Sequence, residues 1–317
     1  MENQFPIKTK PEDLFKTFPE FSPLTYADRK VYEALINDYP PRAGTLFQNI
    51  MAWWNILNSA AVSSLNGNMV ISYWMPGNER LSGLALIGTE KVDESICEIF
   101  DYQRSQGEEP RLVHIPDFVV KHMIHPEMFN CKNEVRVDEH VLEVSNFFPV
   151  ENLPRLRRAR IQKFEKRHKN TSVEIVPIDL KKRQGRELVL GSAAKWKRRF
   201  FLNNPFKHME DSMAVAVNDA DMLDTQCLGL FVGGELEAFL VYFMHADTRY
   251  VTLTHANYRT NALYSFDYSL FAFAKWFHDQ GAEYINMDSD LGIPAMRTLK
   301  AALGASIHFR FYTVEPA

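Results

Sequence analysis

The same order of predicted elements occurs twice along the chain, and each time it begins with a β-hairpin. The first hairpin turns at Asn66-Gly67 and the second at Gly233-Gly234, two dipeptides that favour tight two-residue turns. Apolar spacing then predicts a strand, a helix, a strand, a short helix and a strand after each hairpin. This repeat predicts an α/β (α+β) chain of two domains, which we place at residues 1–150 and 151–317.

The clearest predicted helix lies in the second half, over residues 265–279. Its apolar side chains recur at helical spacing and share one face: Phe266, Leu270, Phe273 and Phe277. Single strands are predicted over 134–144 and over 306–314, at the ends of the two halves. The order of elements resembles the core of the GNAT acyltransferase fold, and this resemblance implies two tandem GNAT-like domains with mixed sheets.

Basic residues are concentrated in one short stretch of an otherwise acidic chain. Residues 151–200 carry 16 Lys and Arg against 5 Asp and Glu, whereas the whole chain has a net charge of −4. Residues 1–150 carry 13 basic against 21 acidic side chains, and residues 201–317 carry 7 against 14. This block indicates a polyanionic partner, although basic surfaces also serve solubility alone.

Several classes of protein are disfavoured by what the sequence lacks. No apolar run reaches the roughly 18–20 residues of a membrane helix, and residues 1–10 are too polar for a secretory signal. The three cysteines are far apart and in no metal-ligand spacing, which predicts a reduced, cytoplasmic protein without a metal site. P-loops, G-x-S-x-G elbows and H-E-x-x-H motifs are absent, which argues against hydrolases and nucleotide-hydrolysing enzymes.

One segment, from Asn286 to Lys300, places charged side chains where ligand sites form in α/β proteins. Asp288 and Asp290 leave the end of a predicted strand, and Arg297 and Lys300 follow three residues apart on a predicted helix. Carboxylates at a strand end can bind an ammonium group or accept a proton from an attacking amine or hydroxyl. The alternative is a local ion-pair cluster in which Asp290 pairs with Arg297 and Asp288 caps a turn.

This segment resembles the signature of a bacterial family grouped with the C-terminal domain of phosphatidylglycerol lysyltransferases. Further similarities lie along the rest of the chain: the strand end with His255 and Asn257, the hairpin over 228–239, the basic helix over 156–168 and the aromatic element over 45–54. The resemblance covers about residues 20 to 305. Its specific part is the segment 286–300.

The resemblance implies transfer of an aminoacyl group from aminoacyl-tRNA to an anionic lipid headgroup or to a small amine or hydroxyl acceptor, with no tightly bound cofactor. The catalytic residues that follow from it are Asp288, Asp290 and His255. The substrate-binding residues are Asn286, Arg297, Lys300 and Asn257. The chain departs from the family at its first acidic position, where Asp288 replaces the usual Glu, and this bears on the substrate more than on the fold.

Two groups of basic residues are candidates for binding phosphates. One lies on the predicted basic helix and comprises Arg157, Arg158, Arg160 and Lys163; the other, Lys195 and Arg198, is interleaved with aromatic residues. Basic side chains beside aromatics suit the phosphates and unpaired bases of a tRNA. Basic clusters also bind anionic lipids, and the third interpretation is a solvated helix whose aromatics belong to the core.

Acyl-CoA is the alternative donor. GNAT enzymes that use it hold the pyrophosphate on a glycine-rich loop at a helix N-terminus, whereas residues 255–264 contain no glycine. Tyr264, at the end of this loop, is a candidate for donor contact. We therefore expect an aminoacyl-tRNA-dependent acyltransferase. The alternatives are an acyl-CoA-dependent N-acyltransferase and a non-catalytic binder of tRNA or anionic surfaces.

Overall fold

The computed structural model describes residues 11–36, 39, 43–54, 60–73, 82–196, 209–245, 249–259, 264–305 and 307–317. The chain forms two compact units. The first consists of residues 1–40, 44–138 and 309–317, and the second of residues 41–43 and 139–308. None of the helices in the described ranges combines the length and the apolar character that crossing a membrane requires.

The first unit is built on a seven-stranded sheet with the order β1-β2-β3-β4-β5-β14-β6. Its strands are β1 (Ser22–Pro23), β2 (Ala61–Leu65), β3 (Asn68–Tyr73), β4 (Gly83–Ile87), β5 (Leu112–Pro116), β6 (Phe129–Asn133) and β14 (Phe311–Pro316). Strands β4 and β5 are parallel, and the other neighbours are antiparallel. Its helices are α1 (Arg29–Ile36), α2 (Phe47–Asn49), α3 (Val92–Ser105) and α4 (Asp117–Val120), with a π-helical turn over Ile50–Trp54 after α2.

The second unit is also built on a seven-stranded sheet, with the order β13-β7-β12-β11-β10-β9-β8. Its strands are β7 (Glu139–Glu143), β8 (Val173–Ile178), β9 (Gln226–Val232), β10 (Glu235–Met244), β11 (Tyr250–Tyr258), β12 (Tyr284–Ser289) and β13 (Ile307–Phe309). Strands β11 and β12 are parallel, whereas β8 to β11 alternate in direction. Its helices are α5 (Arg155–Arg167), α6 (Arg183–Lys195), α7 (Met209–Asn218), α8 (Ala220–Leu223), α9 (Ser265–Asp279) and α10 (Pro294–Ala302).

Both hairpins turn at the predicted dipeptides. The φ angles are 51° and 85° at Asn66 and Gly67, and 59° and 81° at Gly233 and Gly234. Two consecutive left-handed residues give a turn whose twist matches that of the flanking strands. The dipeptides therefore set the pairing of β2 with β3 and of β9 with β10.

Each sheet takes one strand from the other half of the sequence. The single strand predicted over 134–144 is present as the shorter β7, which joins the second sheet. The prediction of a single strand over 306–314 is wrong, because this segment contains β13 and part of β14, which belong to different sheets. A turn at residues 135–137 separates β6 from β7, and Arg310 separates β13 from β14. Alternating apolar residues predict a strand but not the sheet that it joins. The compact units consequently change at 138/139 and 308/309 and do not follow the predicted division after residue 150.

Helix α9 covers one face of the second sheet and begins and ends at the predicted residues. Phe273 and Phe277 of this helix are buried in one apolar core with Leu240 and Leu253 of the sheet and with Phe164 of α5. The helical spacing seen in the sequence therefore marks the face that α9 buries.

The parallel strands β11 and β12 diverge towards their C-terminal ends. Their pairing runs from Tyr250 with Tyr284 to Thr252 with Asn286, while both strands continue beyond that point. A gap between two parallel strands at this edge is where α/β folds bind ligands. The divergence places the segment 286–300 beside such a gap.

Candidate active site

A β-bulge at the end of β12 shapes the backbone of the candidate site. The antiparallel pairing of β12 with β7 is regular up to Asn286, and the register shifts before Ser289 pairs with Glu139. Within the bulge Asp288 has a φ of 60°, which is uncommon for a residue other than glycine. Bulges redirect side chains next to active sites. A strained conformation of this kind persists only where neighbouring contacts hold it.

Lys300 on α10 holds the bulge through its carbonyl groups. Its Nζ donates to the carbonyl oxygens of Met287, Asp288 and Ser289 at 2.6, 2.8 and 2.6 Å. Burial lowers the pKa of Lys300 to about 8, although the nearby carboxylates oppose the shift. An ammonium group has three donors, and these carbonyls occupy all three. The geometry makes Lys300 a positioning residue and does not support its predicted role in substrate binding.

Asn286 connects the bulge to strand β7. Its Nδ2 donates to Glu139 Oε2 at 2.6 Å, and its Oδ1 accepts the backbone N–H of Asp288 at 2.9 Å. Asn286 and Glu139 are both fully buried. Because both ends of the amide bind the protein itself, this geometry also gives Asn286 a positioning role in place of the predicted substrate contact.

Asp290 pairs with Arg297, as the ion-pair interpretation of the motif predicted. Arg297 Nε and Nη2 donate to Asp290 Oδ2 and Oδ1 at 2.5 and 3.1 Å. The backbone N–H of Gly292 donates to Oδ1 at 2.8 Å, and His140 Nε2 lies 3.2 Å from Oδ2. Burial alone would raise the pKa of Asp290, but the hydrogen bonds from Arg297, Gly292 and His140 outweigh burial and lower that pKa. Asp290 is therefore an ionised residue that fixes the loop.

Asp288 lies only two residues from Asp290, but the pKa of its carboxyl is shifted in the opposite direction. Its Oδ1 accepts the backbone N–H of Ser289 at 2.6 Å, and within the described residues its Oδ2 remains available. Burial raises the pKa of Asp288, and the opposing effects of Lys300 and of the Ser289 N–H do not cancel this shift. A carboxyl group with a raised pKa and an available oxygen is suited to accept a proton.

His255, predicted to be catalytic, lies on β11 where the register with β10 shifts. Its Nε2 is 3.3 Å from Ser212 Oγ on α7, and the side chain is buried. Burial lowers the pKa of His255 to about 3, so the ring is neutral at physiological pH. A neutral imidazole at this position fits a packing or orienting role, and the catalytic role stays a prediction.

Asn257 and Tyr264 were predicted to bind substrate. Asn257 Oδ1 accepts the backbone N–H of Tyr258 at 2.9 Å. Tyr264 precedes α9 with a φ of 68°, and Lys163 Nζ lies 5.5 Å from the centre of its ring. This distance is within the range of a cation–π contact, so the structure brings together two residues that the sequence proposed for different roles.

The predicted phosphate-binding arginines of α5 also bind within the protein. Arg160 Nη1 lies 3.1 Å from Asp267 Oδ2, and Arg157 Nη1 lies 3.8 Å from Asp267 Oδ1 on α9. The Arg157 side chain is only 13% exposed, whereas that of Arg160 is 45% exposed. Arg157 therefore joins α5 to α9, while Arg160 can also contact a ligand.

The remaining predicted basic residues lie nearer to solvent. Lys163 and Lys195 are exposed, and Arg158 is half-buried. Arg198 lies outside the described residues. Their role in binding phosphate, like the expectations of no metal site and a cytoplasmic location, stays a prediction.

Three residues of this region are absent from the sequence-based candidates: Glu139, His140 and Ser212. Glu139 and His140 are adjacent on β7, and their partners Asn286 and Asp290 lie 147 and 150 positions later in the chain. Ser212 lies 43 positions before His255. No local spacing signals such pairs, because they depend on which strands and helices become neighbours.

Comparison with known proteins addresses the fold. No protein-family model matches the chain, and no curated protein sequence matches it. Among solved structures, it is similar to a conserved protein of unknown function from Bacteroides thetaiotaomicron, with a TM-score of 0.78, 17% identity, and coverage of 94% of this chain and 99% of that one.

Two further solved structures carry names that bear on function. The C-terminal domain (DUF2156) of a protein assigned as a lysylphosphatidylglycerol synthetase, from Agrobacterium fabrum, has a TM-score of 0.58 at 13% identity and covers 92% of each chain. L-PGS from Bacillus licheniformis has a TM-score of 0.57 at 14% identity, with coverage of 91% of this chain and 92% of that one. At these identities the likeness concerns the fold. The predicted α/β class with two mixed sheets is confirmed by the structure. The predicted resemblance to the lysyltransferase domain is confirmed at the level of the fold.

Proposed function

We propose that this chain is an acyltransferase that moves an aminoacyl group from aminoacyl-tRNA to a hydroxyl or amine acceptor, with Asp288 as the general base. The observation that carries the proposal is the pKa and the position of the Asp288 carboxyl. Its carboxyl has a raised pKa and one available oxygen, and it lies on a strained bulge beside the gap between β11 and β12. The shared fold with the domain assigned to a lysylphosphatidylglycerol synthetase supports the reaction class.

The reaction needs no covalent enzyme intermediate. The acceptor oxygen or nitrogen attacks the ester carbonyl carbon of the donor, and its proton passes to Asp288 Oδ2. The bond between that carbon and the ribose oxygen of the tRNA then breaks. The proton held by Asp288 returns to the departing ribose oxygen, so the enzyme is regenerated and no oxidant or reductant is consumed.

The other charged residues of the segment position this base. Lys300 binds the carbonyl groups of the bulge, and Asn286 binds the N–H of Asp288. The ion pair of Asp290 with Arg297 fixes the loop that follows. General-base catalysis depends on such placement, because proton transfer requires hydrogen-bond distance to the attacking group.

The surroundings of α9 favour aminoacyl-tRNA over acyl-CoA as donor. Asp267, in the first turn of α9, lies where a GNAT enzyme would hold the CoA pyrophosphate, and it already engages Arg157 and Arg160. These two guanidinium groups are therefore engaged within the protein, and the loop of residues 255–264 before α9 has no glycine that would let a pyrophosphate approach the backbone N–H groups closely. The exposed Lys163 and Lys195 are suited to the more extended phosphate backbone of a tRNA.

The test combines donor binding with transfer. Charged and deacylated tRNA are titrated onto the full chain at two salt concentrations, and release of labelled amino acid from charged tRNA is followed with phosphatidylglycerol vesicles or small amines present. We expect tighter binding of charged tRNA and a loss of transfer of at least about 100-fold in Asp288→Asn. Asp279→Asn, which changes an exposed carboxylate on α9, is the matched control and should transfer normally.

The alternatives give different results in the same experiment. Binding of CoA in the micromolar range, with transfer from acyl-CoA alone, would identify an N-acyltransferase. Equal binding of both tRNA forms with no product from any donor would identify a non-catalytic binder. Full activity in Asp288→Asn would refute the assignment of the base.

A further inference from the structure

The first unit repeats the arrangement of strands around Asp288. In the second sheet, the hairpin of β9 and β10 is followed by the parallel pair β11 and β12, and β12 is flanked by β7. In the first sheet, the hairpin of β2 and β3 is followed by the parallel pair β4 and β5, and β5 is flanked by β14. A helix connects the two parallel strands in each case, α9 in the second unit and α3 in the first. Strand β5 therefore corresponds to β12.

The bulge is repeated at the same position of these two strands. Leu112 and Ile115 are three positions apart on β5, whereas their partners on β14 are only two apart. Strands β12 and β7 have the same excess of one residue around Asp288. His114 lies in the β5 bulge with a φ of 53°, as Asp288 lies in the β12 bulge with a φ of 60°. Each lies two positions after the last residue paired with the parallel neighbour, Leu112 in β5 and Asn286 in β12. His114 therefore occupies the position in the first unit that Asp288 occupies in the second.

The parallel strands of the first unit also diverge at this point. In the described part of the chain, β4 and β5 pair only at Leu84 with Leu112, although β4 continues to Ile87 and β5 to Pro116. Residues 85–87 are buried. Buried backbone N–H and C=O groups need hydrogen-bond partners, and a ligand can supply them at the gap between two parallel strands.

The side chain of His114 contacts that of Tyr73, at the end of β3. Their rings meet edge to face, with centroids 5.4 Å apart and planes at 81°. The two residues are only 9% and 3% exposed. Burial raises the pKa of Tyr73, so its hydroxyl stays protonated and can donate a hydrogen bond. A neutral imidazole and a phenol in contact can therefore offer an acceptor and a donor to one small molecule.

The loop between β4 and α3 is closed to a phosphate-bearing donor. The Asn68 side chain lies in it and is fully buried. Its Nδ2 donates to the Glu90 carbonyl oxygen at 2.5 Å, and its Oδ1 accepts the Glu90 N–H at 3.0 Å. Gly88 of this loop packs closely against the same side chain. A pyrophosphate would have to displace Asn68 to reach the start of α3.

We infer that the first unit has a second ligand site at the β5 bulge, which binds a small molecule through an amine or hydroxyl group that donates to His114. Tyr73 donates to another polar atom of this molecule. The site is assigned from the geometry of the first unit alone. The ligand class rests on the proposed function, in which Asp288 accepts the proton of an amine or hydroxyl at the corresponding position. Because the loop before α3 is closed, the first unit binds this molecule without transferring an acyl group to it.

The first experiment observes His114 directly. The full chain is prepared with isotope-labelled histidine, and the His114 signals are assigned by their loss in His114→Asn, since Asn tolerates a positive φ. Propylamine, propanol and ethanolamine are the probes, and they separate an amine site from a hydroxyl site. We expect saturable shifts of the His114 signals with at least one probe and none at the exposed His125. No saturable shift of His114 up to tens of millimolar, or equal shifts at His125, would overturn the inference.

The second experiment changes the polar groups of the site. Tyr73→Phe keeps the ring contact and removes the hydroxyl, so the affinity for ethanolamine should fall about tenfold. Tyr102→Phe, at a half-buried tyrosine of α3, is the matched control and should keep the native affinity. The backbone amide signals of residues 112–116 report binding in the variants, and thermal unfolding establishes that they are folded. Native affinity in both Tyr73→Phe and His114→Asn would overturn the inference, and Tyr73→Phe alone decides if His114→Asn does not fold.

Asp288→Asn separates this inference from the proposed function. Loss of transfer in this variant with unchanged shifts at His114 supports both proposals. Saturable binding at His114 with no transfer from any donor would refute the proposed function and leave the second site standing. Transfer by the native chain without any saturable shift at His114 would refute the second site alone. Loss of the His114 shifts in Asp288→Asn would also overturn it, because the ligand would then belong to the site of the second unit.

Discussion

At the scale of single residues, the site depends on two neighbouring aspartates, Asp288 and Asp290, whose carboxyl pKa values are shifted in opposite directions. Asp290 is fully buried and receives hydrogen bonds from Arg297, Gly292 and His140, which lower its pKa. Asp288 has fewer such contacts, and burial raises its pKa. The two residues are of the same type, so the difference in pKa comes from their hydrogen-bond partners. These partners make Asp290 a carboxylate that fixes the structure and leave Asp288 able to exchange a proton.

The raised pKa of Asp288 predicts a pH dependence of transfer. The base must be ionised, so kcat/KM should fall as the pH decreases through the pKa of Asp288, at a higher pH than an ordinary carboxyl would give. The pKa is also higher in the folded than in the unfolded state, so the ionised form costs stability above that pKa. Asp288→Asn should therefore unfold at the same temperature or a higher one at neutral pH.

The measurements are a pH–rate profile of the native chain and thermal unfolding of the variant. Asp279→Asn serves as the control and should keep the native profile. A rate that is independent of pH down to about 4, where an ordinary carboxyl titrates, would remove Asp288 as the base.

The residue types of this site could be predicted from the sequence, but their roles could not. The spacing of Asp288, Asp290 and Arg297 marks the segment as a candidate, and the ion pair of Asp290 with Arg297 was a stated alternative. The contacts of Glu139 and His140 depend on β7 lying beside β12. That neighbour is set by the tertiary fold and leaves no local signal.

At the scale of elements, helix α10 and strand β12 act together through Lys300. Three carbonyl groups of the bulge converge on its Nζ within 2.8 Å. Helical spacing predicted that Lys300 and Arg297 share a face of α10, and the structure directs this face to the bulge and its loop. The bulge itself, which determines what Lys300 binds, could not be predicted from the alternation of residues in β12.

Lys300→Met should destabilise the second unit and reduce transfer. The change leaves three carbonyl groups without their donor, and each unsatisfied buried group costs about 1–3 kcal/mol, partly offset by removal of a buried charge. We expect a net loss of about 2 kcal/mol, measured by denaturant unfolding. Lys275→Met, at an exposed lysine of α9 paired with Asp279, is the control and should change stability by less than about 0.5 kcal/mol. A Lys300→Met variant of native stability with a raised KM would instead indicate direct substrate binding.

At the scale of the whole molecule, the two sheets exchange strands between the halves of the sequence. Strand β14, from the C-terminus, pairs with β5 on one side and with β6 on the other, and β7 joins the sheet of the second unit. The repeated order of elements was enough to predict two sheets with the correct hairpins. It could not predict the exchange of strands. Apolar and polar side chains alternate along β14, and this alternation is compatible with pairing in either sheet.

The exchange predicts that the first unit depends on the last residues of the chain. A chain that ends at Arg310 lacks β14, so β5 and β6 lose their shared neighbour and the buried Phe311 and Val314 are removed. Loss of two such side chains costs about 4–8 kcal/mol, which is comparable with the total stability of a domain.

Hydrogen exchange should therefore show lost protection over 112–116 and 129–133, the residues of β5 and β6, whereas the strands of the second unit, such as β9 and β10, keep theirs. Phe311→Ala in the full chain removes one buried side chain and leaves the pairing of β14 intact, so it should weaken protection in the same strands without abolishing it. A truncated chain with native protection in β5 and β6 would contradict the central place of β14. In that case the first unit would owe its stability to the strands of its own half of the sequence, as a division at residue 150 would require.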